Sequence, residues 1–332
     1  MLTYVIHRLL LMIPTLLVIS FLTFVIIQLP PGNYLDTQIA DLKASGEAAD
    51  LQKAEFLRVQ YGLDQPMEVQ YWRWLTGLLR GDLGYSFEYD RPVSRIIGER
   101  LALTVVVSLS AILFTWLVAL PIGVYSATHK YTWADHGLTL LGFLGLATPG
   151  FLLALIFMFV SFTWFGLSPG GLFSSEMEAA RWSWAKVADL LKHLVVPMLV
   201  IGTSGTASMI RRLRANLLDE LKKPYVVTAR AKGLSPGRLL LKYPLRIALN
   251  PFISDIGNLL PHVISGSVIV SIVLSLPTTG PMLLRALRTQ DMFLAGSFLM
   301  LLAVLGVLGV LLSDLALAAL DPRIRQGKGR SR

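Results

Sequence analysis

Residues 101–128 read LALTVVVSLSAILFTWLVALPIGVYSAT, and no charged side chain interrupts them. At 1.5 Å per helical residue such a run reaches about 42 Å, more than the ~30 Å of hydrocarbon in a bilayer. A lipid interior accepts only backbones that satisfy their own hydrogen bonds, and the run lacks the in–out alternation of a barrel strand. The stretch from Leu101 to Thr128 therefore predicts a membrane-spanning helix.

Five similar runs lie on either side: Leu9 to Leu29, a stretch within Gly137 to Leu167, a shorter one near Leu194 to Ile210, Ile256 to Leu276, and Met292 to Ser313. A composition of 54% hydrophobic and 15% charged residues over 332 positions agrees with a bilayer protein. The expected fold is all-α, a polytopic integral membrane protein of about six transmembrane helices. The first run follows only His7 and Arg8, as a signal peptide would, but it is too long and lacks an A-x-A cleavage site, so it reads as a retained first span. With no cysteine in the chain, disulfides, thiolate catalysis and zinc–thiolate sites are excluded.

Six spans put both termini on one side of the membrane, and Lys/Arg usage says which. Residues 1–8, 129–136, 211–250 and 321–332 hold 17 Lys and Arg against 4 acids. The segments 30–100, 167–192 and 277–291 hold 13 against 15. Both termini and the 211–250 segment are expected in the cytoplasm, so the net charge of +9 is a topology signal and no reason to invoke nucleic acid.

Between two long uncharged runs lies a basic segment, YVVTARAKGLSPGRLLLKYPLRIALNPF, Tyr225 to Phe252. Its pattern is helical to Lys232, where Gly233 can take the left-handed conformation that ends a helix. Ser235 and Pro236 then supply an N-cap and a first-turn proline for a second helix. Arg230, Lys232, Arg238, Lys242 and Arg246 share the segment with apolar side chains, a mixture suited to a protein groove. On basic content alone, an ordinary loop lying on anionic headgroups fits as well.

TARAKGLSPGRLLLKYPLRIALNP (residues 228–251) resembles the cytoplasmic signature loop of ABC-importer permeases of the dipeptide/oligopeptide type. The resemblance extends to residues 1–33, MLTYVIHRLLLMIPTLLVISFLTFVIIQLPPGN, to YGLDQPMEVQYWRWLTGLLRGDLGYSF (61–87) and to RPVSRIIGERLALTVVVSLSA (91–111). It implies the ABC type I importer permease fold, in a bacterial or archaeal cytoplasmic membrane. It also implies a coupling helix that sits in a cleft of an ATPase subunit, formed here by Tyr225, Thr228, Ala229, Arg230, Ala231, Lys232, Gly233, Leu234, Ser235 and Pro236. One departure is visible: the wider importer signature begins Glu-Ala-Ala, whereas Val227, Thr228 and Ala229 stand here, which leaves the acidic contact of other importers unsupported.

The resemblance further implies a second homologous permease subunit, two ATPase subunits and an external substrate-binding protein as partners, with membrane lipid around the spans. This chain has no G-x-x-x-x-G-K-[ST] loop to cradle phosphates, the nearest lookalike being Gly327 to Gly329. No cofactor is expected on this chain, and ATP and Mg are expected on the partner subunits. Relatives of this type carry dipeptides, longer peptides, nickel complexes, oligosaccharides or opines, and the cargo is not readable here.

On this reading the chain divides into the N-terminus and first span (1–29), an external loop (30–100), the permease domain (101–320) with its coupling loop (211–250), and a basic tail (321–332). In the external loop, Met67, Tyr71, Trp74, Leu75 and Leu78 define one apolar helical face followed by Gly81. That helix either packs on the protein's own spans or receives the binding protein, and Glu68 and Asp82 allow both. In the fifth span, Asn258, His262, Ser265 and Ser267 are candidates for the translocation path, because polar groups at membrane depth are costly. A helix–helix hydrogen bond serves equally well for His262, and Asp255 is near enough to the cytoplasmic end to lie in the headgroup region.

A rival reading is a rhomboid-like intramembrane serine protease, since Gly202 to Gly205 reads GTSG and His262 could serve Ser204 as base. Segment 207–234, ASMIRRLRANLLDELKKPYVVTARAKGL, fits the importer and has no place in the protease.

Overall fold

The structure, a computed structural model, describes residues 2–29, 32, 34–45, 48–166, 170–255 and 267–320. It is helical apart from one hairpin of two-residue strands, β1 (Tyr85–Ser86) and β2 (Arg91–Pro92), paired antiparallel. The chain divides into two compact units, residues 1–103 with 278–311 and residues 104–277 with 312–332.

The first unit contains α1 (Leu2–Gln28), α2 (Tyr34–Ser45), α3 (Ala48–Gln60), α4 (Met67–Leu79), the β hairpin, α15 (Thr279–Arg288) and most of α16 (Met292–Leu320). The apolar face of α4 packs on α1: the Tyr71 and Ser20 hydroxyls are 2.9 Å apart, and Phe24 lies against both Tyr71 and Trp74. Trp74 and Leu75 are buried, while Met67, at the start of the same predicted face, is half exposed. The hairpin is fixed by a buried carboxylate. Asp291 accepts from the Ser86 hydroxyl at 2.5 Å and from the backbone N–H of Glu88 and of Leu294. Glu88 in turn accepts from Arg285 at 2.5 Å. Burial raises the Asp291 carboxyl above its ordinary range, against the pull of those three donors.

The second unit contains most of α5 (Val93–Thr128), then α6 (Trp133–Ala147), α7 (Gly150–Phe165), the short α8 (Ser175–Glu178) and α9 (Trp184–Leu221). Four short helices follow: α10 (Pro224–Ala231), α11 (Pro236–Lys242), α12 (Pro244–Ala248) and α13 (Asn250–Ser254), with α14 (Val268–Val273) after them. Close approach of α5 and α9 depends on Gly202, where an added Cβ would lie 2.5 Å from Phe114 Cδ1 and 3.2 Å from the Ala111 carbonyl oxygen. Small residues let membrane helices meet in this way.

Two expectations change. The single span read within Gly137 to Leu167 is two helices, α6 and α7, bent by 103°. Pro149 has no N–H to give, and it disfavours the helical conformation at Thr148, which is extended at φ −84° and ψ 119°. The short fourth span near Leu194 to Ile210 is the middle of the 38-residue α9, whose polar ends hid its length. The described residues contain four helices long and apolar enough to cross a membrane, or five with the bent pair as one span. Most of the fifth run, Ile256 to Leu276, lies outside the described residues.

Candidate functional site

The basic segment folds as a helical hairpin at the end of α9. Tyr225 and α10 pack on α11 through a small core of Val226, Ala229 and Leu239, flanked by Leu234 and Tyr243. The Tyr225 hydroxyl donates to Glu220 at 2.6 Å, tying the hairpin to the last turn of α9. Burial first, and then that carboxylate, raises the Tyr225 hydroxyl above the ordinary tyrosine range.

Between the two helices Gly233 has φ +76°, a left-handed conformation that costs a residue with a Cβ about 1–2 kcal/mol. A Cβ there would meet no atom within 4 Å, so the constraint is conformational and not one of space. Pro236 begins α11, and Ser235 holds the preceding extended position, but its side chain makes no capping bond, so the proline alone carries the start signal. Thr228, Arg230, Ala231, Lys232, Gly233, Ser235 and Pro236 are exposed, as are Val227 and Leu241. The outward surface is thus basic and apolar together.

Two further features root the hairpin. Leu245, Ala248 and Phe252 from the chain leaving it pack on Met209, Ile210, Leu213 and Leu217 of α9. Arg214, also on α9, makes a two-pronged contact with Asp135, at 3.1 Å from Nε to Oδ1 and 2.8 Å from Nη2 to Oδ2. The Asp135 carboxylate also accepts from the Ser126 hydroxyl and the Tyr131 N–H, so the α5–α6 connection is bound to α9 at an almost fully buried group.

A cavity of about 340 Å³ opens beside α9, with walls from α5 (Ser108, Thr115, Trp116), α9 (Ile201, Gly205, Arg212), Phe252, Asp255 and Ser267. Of the candidate path residues it includes Ser267. Asn258, His262 and Ser265 lie outside the described residues. Asp255 is paired: its Oδ2 is 2.5 Å from Arg212 Nη2. That pairing joins positions 43 apart in sequence, and no local periodicity signals it. A larger cavity of about 600 Å³ lies between α7 and the first half of α9, with mainly apolar walls. Among the described residues no group of three or more His, Asp or Glu could hold a metal ion.

The family model described as binding-protein-dependent transport system inner membrane component matches residues 119–326, and the model of its N-terminal region matches residues 1–110. The chain belongs to this family. As a transport-system inner-membrane component it is 36% identical to the oligopeptide transport system permease protein AppB of Bacillus subtilis, over 98% of this chain and 99% of that one. It is 33% identical to the glutathione transport system permease proteins GsiC of Salmonella typhimurium and of Pectobacterium atrosepticum, with the same coverage. It is a permease subunit of an ABC importer.

The match spans the whole stretch from GTSG through the hairpin and so sets the protease reading aside. The site agrees: the Ser204 hydroxyl points back to its own helix, to the Ile201 carbonyl at 3.4 Å.

Proposed function

We propose that this permease subunit forms half of a translocation path for a peptide or similar small solute, delivered by an external binding protein and driven by ATP hydrolysis on other subunits. The single observation that supports this most is the helical hairpin at residues 224–242, anchored on α9 yet open on its basic and apolar outer surface. A second homologous permease completes the path, two ATPases bind ATP and Mg, and both termini face the cytoplasm. The peptide assignment draws on the oligopeptide and glutathione permeases to which the chain is similar along its length.

In this reading Tyr225 and the run Thr228 to Pro236 are the mechanical contact. Closure of the ATPases on nucleotide displaces the hairpin, and α9 carries the displacement into the spans. A ligand shifts such an equilibrium only through its differential affinity for the two states, so the lever has to resist local bending. The Arg214–Asp135 contact and the Tyr225–Glu220 hydrogen bond supply that resistance. Asn258, His262, Ser265 and Ser267 line the path, with Ser267 on the cavity wall. The division into segments 1–29, 30–100, 101–320 and 321–332 follows from this topology.

Because the natural chain has no cysteine, a Lys232→Cys variant carries one thiol only. In spheroplasts that thiol is expected to be shielded from a membrane-impermeant maleimide and, in inside-out vesicles, to cross-link to an ATPase subunit. Labelling from outside the cell would refute the proposal.

A further inference from the structure

Two arginines two residues apart on α9 hold carboxylates in opposite ways. Arg214 and Asp135 are closed: the side chains are 27% and 2% exposed, and the carboxylate is shared with two further donors. Arg212 and Asp255 are open, at 45% and 44%, on the wall of the 340 Å³ cavity. Among the described residues this second pair engages one oxygen and one nitrogen, and the guanidinium lies 4.8 Å above the Phe252 ring. A cation–anion pair left open on a cavity wall stabilises helix packing less than a closed, fully hydrogen-bonded one.

The cavity suits an extended chain. Its walls run along α9 from Ile201 to Arg212, about 16 Å of helix, and an extended peptide covers that span with about four or five residues. Trp116 lines the wall with its ring edge-on to the buried Phe252 at 6.1 Å between centroids, Ser208 adds a hydroxyl, and among the described residues the one cation on the wall, Arg212, is at one end.

We propose that this cavity is a transient subsite for a short peptide, with Arg212 receiving the C-terminal carboxylate and Asp255 acting as an internal anion that the carboxylate displaces. The proposal rests on the permease reading and deepens it. A guanidinium and a carboxylate form a short, charge-assisted contact, often with two parallel hydrogen bonds. In the empty subunit Asp255 occupies the guanidinium, so an arriving carboxylate gains only the difference between two similar contacts. Binding is then weak enough to release cargo, as conduction through any multi-site path requires. The two residues have opposite effects on affinity: Arg212 provides the attraction, and Asp255 competes for it.

The test uses the full-length subunit in lipid nanodiscs, assembled with its partner subunits, and reads the fluorescence of Trp116 on the cavity wall. Trp116→Phe identifies the part of the signal that belongs to this site. Trialanine is expected to change that signal saturably, and trialaninamide, lacking the carboxylate, to bind about tenfold more weakly. Arg212→Gln should weaken trialanine binding by a similar factor, and Asp255→Asn should strengthen it. If both variants weaken binding, if peptide and amide bind alike, or if no saturable signal appears, the subsite is refuted and the pair is a structural bridge. In those cases an assembled complex leaves the permease reading standing. If the wild-type chain does not co-purify with an ATPase subunit, that reading falls and the subsite with it.

Discussion

The hairpin at 83–93 and the hairpin at 224–242 are both polar interruptions in an apolar chain, and they settle their polar groups differently. The first is consumed internally. Ser86 and Asp291 are fully buried, Glu88 holds Arg285, and the Ser297 hydroxyl donates to the Leu83 carbonyl at 2.8 Å. The second has a buried core of three residues and spends few of its charges on itself, leaving Arg230, Lys232 and Arg238 exposed beside Val227 and Leu241. A segment whose polar groups are satisfied from within is built for shape. One that leaves an apolar and cationic surface open has the chemistry that suits a protein groove.

The largest expected effect comes from breaking the elbow of the open hairpin. Gly233→Val places a β-branched residue at φ +76°, where even an ordinary side chain costs about 1–2 kcal/mol, so uptake should fall by about tenfold or more. Membrane abundance should be unchanged, because a Cβ there meets no neighbour. Radiolabelled uptake set against immunoblot quantification separates the two, and normal uptake would break the comparison. Val227→Asp tests the same surface without touching the backbone. Val227 is 64% exposed, so thermal stability should hold while transport-coupled ATP hydrolysis drops.

For the closed hairpin the effect should fall on stability. Asp291→Ala leaves the Ser86 hydroxyl and the backbone N–H groups of Glu88 and Leu294 without their acceptor, a loss of about 1–3 kcal/mol or more, readable as a lowered melting temperature in detergent. The same carboxylate predicts a pH effect of definite sign. Burial raises its folded-state pKa, so the folded protein binds the extra proton and this contribution to stability is lost as pH rises through the folded-state value. Lowering the pH through the folded-state value toward the ordinary carboxylate range should therefore raise the melting temperature, and Asp291→Asn should flatten that part of the profile. The smallest change is Tyr225→Phe, which removes one hydrogen bond to Glu220 and should cost about 1 kcal/mol.

What the sequence made legible depended on distance along the chain. Charge-free runs located the spans because the bilayer imposes a length, and Gly233 with Pro236 located the elbow because turn chemistry is local. The same rule hid the bend at Pro149: a run from Gly137 to Leu167 is equally uncharged whether straight or folded, although Thr148, Pro149 and Gly150 carried the backbone signal. It also shortened α9, whose ends mix lysine, arginine and glutamate with leucine and so fall outside any charge-free window. The Arg212–Asp255 and Arg214–Asp135 contacts were not legible, since each requires distant helices to be packed before the partners meet.

The 38 residues of α9 form one unbroken element about 57 Å long, crossed only by Pro197. Geometry then acts as a gear: a pivot of about 5° at one extremity sweeps the other through about 5 Å, close to the pitch of a helical turn. A proline inside the shaft removes one rung of the backbone ladder and marks where such a rod yields first. The stroke that either end of this rod can pass to the other is therefore set by stiffness on both sides of residue 197.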